Sequence, residues 1–235
     1  MLMFRKLLFT CMLAGTSCAV FSQVQFGLRA GINFSNAIVK DENGNKMPTN
    51  LLTGFHVGIT ADLPVGDEFA VQPALLFNTM GYQYKEMNSG VSITVNQHPY
   101  YLELPVQFLY KPELGNGHLL LGAGPCIAYG ISGRWKVKGT DGNTTVSKTG
   151  NLEFKNNISS TDSSYLNFND LKTLPYGKAF DLGGTLLAGY EFSNKFSVQL
   201  NGQLGLLNIA PDVDNRKTGE VLKNMQFGLS VGYKF

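Results

Sequence analysis

Long apolar runs are missing from this 235-residue chain. No stretch reaches the ~18 consecutive apolar residues that a membrane helix needs, and this excludes helical spans. Cysteine is scarce too: Cys11 and Cys18 lie near the start and Cys126 stands alone in the remainder, so an internal disulfide is excluded there. Charged residues make up only 15% of the chain, with 19 Lys and Arg against 17 Asp and Glu. That balance gives no electrostatic case for a nucleic-acid partner. No cysteine–histidine cluster points to a metal, and no motif points to a cofactor.

Glycine, by contrast, is plentiful, with 27 residues against the roughly 7% usual in proteins. The first residues, with Arg5 and Lys6 before an apolar core from Leu7 to about Phe21, read as a secretory leader over 1–22, cleaved after Ser22. Loss of Arg5 and Lys6 makes the acidic and basic counts equal. Cys18 raises lipidation as an alternative, although Gly15 stands where such sites usually carry leucine. Residues 23–235 then form one domain.

That domain is built of alternating segments. In the last, Met225, Phe227, Leu229, Val231, Tyr233 and Phe235 share one face, and Gln226, Gly228, Ser230, Gly232 and Lys234 share the other. The same period recurs near 24–34, 54–63, 69–84, 100–110, 118–132, 180–192 and 196–207. Pro73 within the third segment implies a bulge or an unpaired position. Connections alternate between long and short, the longest being 133–178. In it, Trp135 and Val137 before Thr140–Asn143, and Val146 after, suggest a hairpin continuing the fifth strand outward.

Three patterns put the apolar face outside. The strand charges Arg29, Asp62, Glu103, Asp181 and Glu191 all fall on the polar, glycine-rich face. On a lipid face a midplane Arg or Lys costs about 2–4 kcal/mol. Short turns share one end and long loops the other, as in outer-membrane barrels. Aromatics gather at both ends: Phe26, Phe69, Tyr110, Tyr190, Phe192, Phe196, Tyr233 and Phe235 at the short-turn end, and Tyr82, Tyr84, Tyr100, Tyr101, Tyr129 and Trp135 at the other. The expected fold is all-β, an eight-stranded antiparallel transmembrane up-and-down β-barrel. A ten-stranded variant would recruit Trp135–Phe154 into the wall. Eight strands enclose an interior that side chains can fill, so the lumen is expected to be plugged.

Arg29, Asp62, Glu103, Asp181 and Glu191, joined by Lys234, are the candidate lumenal polar network, because buried charges need partners. His56 shares that face, but Asp62 is too far along the same strand to orient it, and no catalytic set is assigned. Tyr233 and Phe235 are the candidate assembly signal. The basic excess of 133–178 makes that loop the candidate contact for a surface protein or glycan.

The segments FGLRAGINFS, VQPALLF, YLELPVQFLYK, GAGPCIAYG, FDLGGTLLAGYEF and FGLSVGYKF resemble the PorT-like outer-membrane β-barrel family of Bacteroidetes-type bacteria. Ala74 departs from the glutamate that the resemblance implies after Gln72-Pro73. The resemblance implies a bacterial outer-membrane location, membrane lipid as surroundings and insertion by the barrel-assembly machinery; some relatives are linked to protein secretion. The expected function is non-enzymatic, in surface interaction, structure or assembly, carried by a monomer. The alternatives are an outer-membrane enzyme acting on lipid or surface polymer, and a narrow transporter.

Overall fold

The structure, a computed structural model, describes residues 24–88, 91–161 and 172–235, so the expected leader lies outside the described residues. Eight long strands form the wall: β1 (Gln25–Lys40), β2 (Leu52–Pro64), β3 (Phe69–Thr79), β4 (Val91–Tyr110), β5 (Gly117–Asp141), β6 (Phe180–Phe192), β7 (Phe196–Gly205) and β8 (Val221–Lys234). Each pairs antiparallel with the next, and β8 returns to β1 from Gly27↔Lys234 to Lys40↔Val221. The barrel is closed, so no edge is left unpaired in a solvent without hydrogen bonds.

The alternation is realised inside out. Leu28, Ile32, Phe55, Ile59, Leu104, Ile127, Leu186, Leu200, Phe227 and Val231 are exposed, while Arg29, Asn33, His56, Asp62, Gln72, Asn78, Glu103, Gln107, Asp181, Gln199 and Ser230 are buried. A soluble barrel would have the reverse. The molecule is an eight-stranded transmembrane β-barrel with a lipid-facing apolar belt.

Two strands outrun the membrane. β5 has 25 residues and β4 has 20, whereas about 9–11 tilted residues cross the hydrocarbon layer. Their upper halves pair with each other, and they are flanked by Tyr82–Asn88 on β4 and Thr144–Glu153 on β5. This extension contains the expected hairpin. It does not make ten wall strands: β6 holds the edge of β5 from Gly117 to Tyr129, and Thr144–Glu153 takes the same edge only from Gly133 upward.

Pro73 causes no shift, since Val71↔Phe108, Pro73↔Val106 and Leu76↔Glu103 keep one register. The third alternating segment instead breaks at Met80-Gly81 and resumes at Tyr82 without losing register against β4. Gly81 has φ +136, and a Cβ there would come within 1.8 Å of the Gln97 carbonyl oxygen, so only glycine fits.

The pairing of β4 with β5 does contain a bulge. Tyr100 faces Ser132 but Tyr101 faces Gly130, which leaves Ile131 as an extra residue on β5. Because the side-chain period is two, one extra residue exchanges the faces of everything beyond it. Ile131 and Tyr129 point outward below the bulge, and Trp135 points inward above it, only 1% exposed. This corrects the expected upper girdle. Tyr129 and Tyr100 face outward there, whereas Tyr101 and Trp135 are fully buried and Tyr82 packs against the same interior cluster.

That cluster closes the barrel mouth. Ala37, Met80, Tyr101, Trp135, Leu152, Tyr176, Ile209 and Leu222 pack together, with Phe154, Tyr82 and Val137 against them. Phe154 lies edge-on to both Tyr101 and Tyr176, with centroids 5.2 and 5.5 Å away. A second, smaller apolar cluster of Ala70, Leu109, Leu120 and Leu187 lies among the inward-facing residues nearer the short turns.

Candidate functional site

The lumen has three polar storeys. At the short-turn end Asp62 from β2, Glu191 from β6, Lys234 from β8 and Lys111 just past β4 form a ring of two cations and two anions. Lys111 Nζ lies 3.0 Å from Asp62 Oδ2 and 3.4 Å from Glu191 Oε2, and Lys234 bridges the same two carboxylates. Gln72 also donates to Asp62. The ring is electrically balanced, as partly buried charges require.

The middle storey holds Arg29, His56 and Glu103. Arg29 Nη1 donates to Gln199 Oε1 at 3.2 Å, and its Nε has no protein partner. Glu103 accepts from Asn78 Nδ2 at 2.8 Å and Gln203 Nε2 at 2.9 Å. Asn33 donates to Asn78 at 2.7 Å and to Gln226 at 2.8 Å, and Gln226 donates to Gln203 at 2.8 Å. In the upper storey Asp181 Oδ2 accepts from Asn224 Nδ2 at 3.0 Å, beneath Tyr101 and Tyr176, whose hydroxyls also meet Asn224.

The six charged residues singled out from the sequence are therefore not one network. Asp62, Glu191 and Lys234 come together. Arg29, Glu103 and Asp181 form no ion pair among the described residues and are held by amides and hydroxyls instead. The reason is reach: each strand delivers its charge at a different height. Lys111 was missed because it lies one residue past the expected strand end, although it shares parity with the lumenal Glu103 and Gln107. Ala74 is buried and carries no charge into the ring.

His56 has a serine neighbour that strand spacing does not reveal, 174 residues away: His56 Nε2 and Ser230 Oγ are 2.9 Å apart. Ser230 also accepts from Asn201. Gly228-Leu229-Ser230-Val231-Gly232 has the glycine–serine spacing of a nucleophile elbow, but here it runs within β8 with no strand-to-helix turn. No carboxylate is hydrogen-bonded to His56 among the described residues, so the orienting member of a triad is missing. The cavity beside His56, Arg29 and Glu103 is about 30 Å³, room for roughly two waters, and Ser230 does not line it.

Above the membrane the loops are tied down. Asn157–Ile158 pairs with Asp212–Val213, and Lys178 meets Asp212 at 2.9 Å. The Ser160 hydroxyl and N–H donate to Asp214, which holds that carboxyl below the ordinary range. Burial, with the charge of Glu220 adding to it, pushes the Tyr82 hydroxyl up to about 12. Part of the expected contact loop, residues 162–171, lies outside the described residues.

A family model for the outer membrane protein beta-barrel domain matches residues 17–210, ending before β8 closes the wall. Among solved structures, the chain is similar to the attachment invasion locus protein Ail of Yersinia pestis in complex with the heparin analogue sucrose octasulfate. Identity is 12% over 90% of this chain and 99% of that one, with a TM-score of 0.36. Neisserial surface protein A is also similar, at 12% identity over 89% and 97%, with a TM-score of 0.39. The N-terminal β-barrel domain of Pseudomonas aeruginosa OprF shares 12% identity over 91% and 100%, with a TM-score of 0.31. Likeness at this level carries no ligand or partner across. No curated protein matches the chain.

Proposed function

The chain belongs to the outer membrane protein beta-barrel domain family and resides in the bacterial outer membrane, and from that premise we propose a non-enzymatic barrel that displays a folded cap for surface interaction. One observation carries this reading: the interior is filled and the exterior is extended. Hydrogen-bonded side chains leave about 30 Å³ beside Arg29, His56 and Glu103 in mid-lumen, between the Lys–carboxylate ring below and the Trp135–Tyr101 cluster above. The strands meanwhile continue as an ordered sheet into the medium, and loops presented by rigid scaffolds are where binding residues concentrate.

Rival readings meet the same interior. An enzyme built on Ser230 and His56 would need substrate to enter a space fit for about two waters. A transporter would need the ring and the cap both to open. In the proposed reading the protein is a monomer surrounded by membrane lipid and inserted by the barrel-assembly machinery, with Tyr233 and Phe235 as part of its signal. The motifs FGLRAGINFS and FGLSVGYKF support a PorT-like subgroup within the family.

The test is photocrosslinking in intact cells from Thr149 and Ser147, both exposed on the extension. Capture of a discrete surface component supports display. A cap that is reachable by externally added protease yet captures nothing sinks it.

A further inference from the structure

We propose that the outward face of the extension grips the phosphate groups of the glycolipid forming the outer leaflet around the barrel. This deepens the surface role just proposed and rests on it.

The bulge at Ile131 makes the face. Beyond it the inward side of β5 carries Trp135 and Val137, packed on the cap cluster, and the outward side carries Arg134, Lys136 and Lys138. Cross-strand partners extend the patch: Arg134 faces His98, Lys136 faces Asn96, and Lys138 faces Thr94, which in turn faces Lys85. Lys85, Arg134 and Lys138 are exposed and Lys136 is half-buried. Among the described residues none of the four has an ion pair. On this face the carboxylate is Glu153, at the lower corner and paired with Lys155 at 3.5 Å; Glu86 and Asp141 fall on the opposite side.

Position identifies the occupant. The same sides of the same two strands are lipid-facing just below, through Leu102, Tyr129 and Ile131. Arg134 lies three residues above Ile131, about 10 Å along a tilted strand. The headgroup layer adds roughly 5–8 Å to each side of the hydrocarbon. With strands tilted by about 40°, that distance along the strand is a rise of roughly 7–8 Å, so Arg134 enters the phosphate level. Lys136, roughly 5 Å higher, reaches back to it with its long side chain, and Lys138, roughly 5 Å higher again, stands at the sugars above. A guanidinium takes phosphate bidentately, an ammonium as a point charge, and Asn96, Thr94, Thr149 and Ser147 offer amide and hydroxyl partners to sugars. The Trp135 anchor holds the face toward the lipid.

The experiment uses the full chain in two settings. In phospholipid vesicles doped with phosphorylated lipid A, Lys136 should resist acylation by an amine reagent; dephosphorylated lipid A should leave it reactive, and Lys138, above the phosphates, should react with either. In detergent, the triple variant Arg134→Gln/Lys136→Gln/Lys138→Gln should bind fluorescent phosphorylated lipid A at least about tenfold more weakly, since each basic side chain near an anionic surface is worth roughly fivefold. The charge-matched triple Lys46→Gln/Arg216→Gln/Lys217→Gln should bind as the parent does. Equal protection by both lipids, or equal weakening by both triples, overturns the proposal. If soluble heparin protects Lys136 and lipid A does not, the occupant is a polymer: this inference falls and the surface role stands. If neither protects it and crosslinking in cells captures nothing, both fall. The footprint is read on the unaltered protein, so a variant that fails to fold does not obscure it.

Discussion

Lys111 and Lys234 share two carboxylates, and Asp62 is the residue on which that arrangement turns. It accepts from both lysines and from Gln72. Asp62→Asn would leave two cations facing Glu191 alone. Breaking a buried pair from one side typically costs about 3–5 kcal/mol. The expected outcome is a barrel that unfolds at lower urea concentration in phospholipid vesicles, with Asp62→Leu/Lys234→Met recovering part of the loss because no charge is orphaned there. Additive losses would mean that the ring is not coupled. His56 gives a second lesson at this scale. Its own strand puts it on the lumen face, but its partner Ser230 depends on which two strands stand opposite each other.

Among the elements, β5 decides most. Its single extra residue puts Trp135 under the cap and the basic side chains outside. Inserting one residue between Tyr100 and Tyr101 would give Ile131 a partner, remove the mismatch and turn Arg134, Lys136 and Lys138 inward, against an apolar cluster that cannot solvate them. The barrel below should still form, seen as fast migration on an unboiled gel, while trypsin added outside cuts between 134 and 148. A protected extension in the insertion variant would show that the bulge is incidental. β8 is the other decisive element, since it closes the wall. The Phe235 N–H donates to the Phe26 carbonyl at 2.9 Å, and its ring meets Tyr233 at 5.9 Å. Removing Phe235 should lower the fraction inserted in cells before it alters the stability of molecules already folded. Insertion at the parent level would remove Phe235 from the assembly signal.

The whole molecule is a filled cylinder with a lid. Opening it would require moving the Lys–carboxylate ring and also the Tyr101–Trp135–Tyr176 cluster. Purified protein in planar bilayers should therefore show no stepwise conductance, and neutralising the ring alone should not create any. Discrete channel openings from the parent protein would contradict a plugged lumen.

The sequence by itself determined the wall and its polarity. Alternation is a local property, and eight segments each declare which side is apolar; the lumenal placement of Arg29, Asp62, Glu103 and Asp181 follows from that parity. Loop asymmetry follows from the same count. Tertiary structure alone decided which lumenal groups touch, because height in the barrel depends on the stagger between neighbouring strands. It also decided which way the extension faces. The bulge at Ile131 is a mismatch between two paired strands, and nothing within β5 marks it, so continuing the alternation sends Trp135 toward lipid and the basic residues inward. One unmatched residue in the pairing of β4 with β5 reverses both.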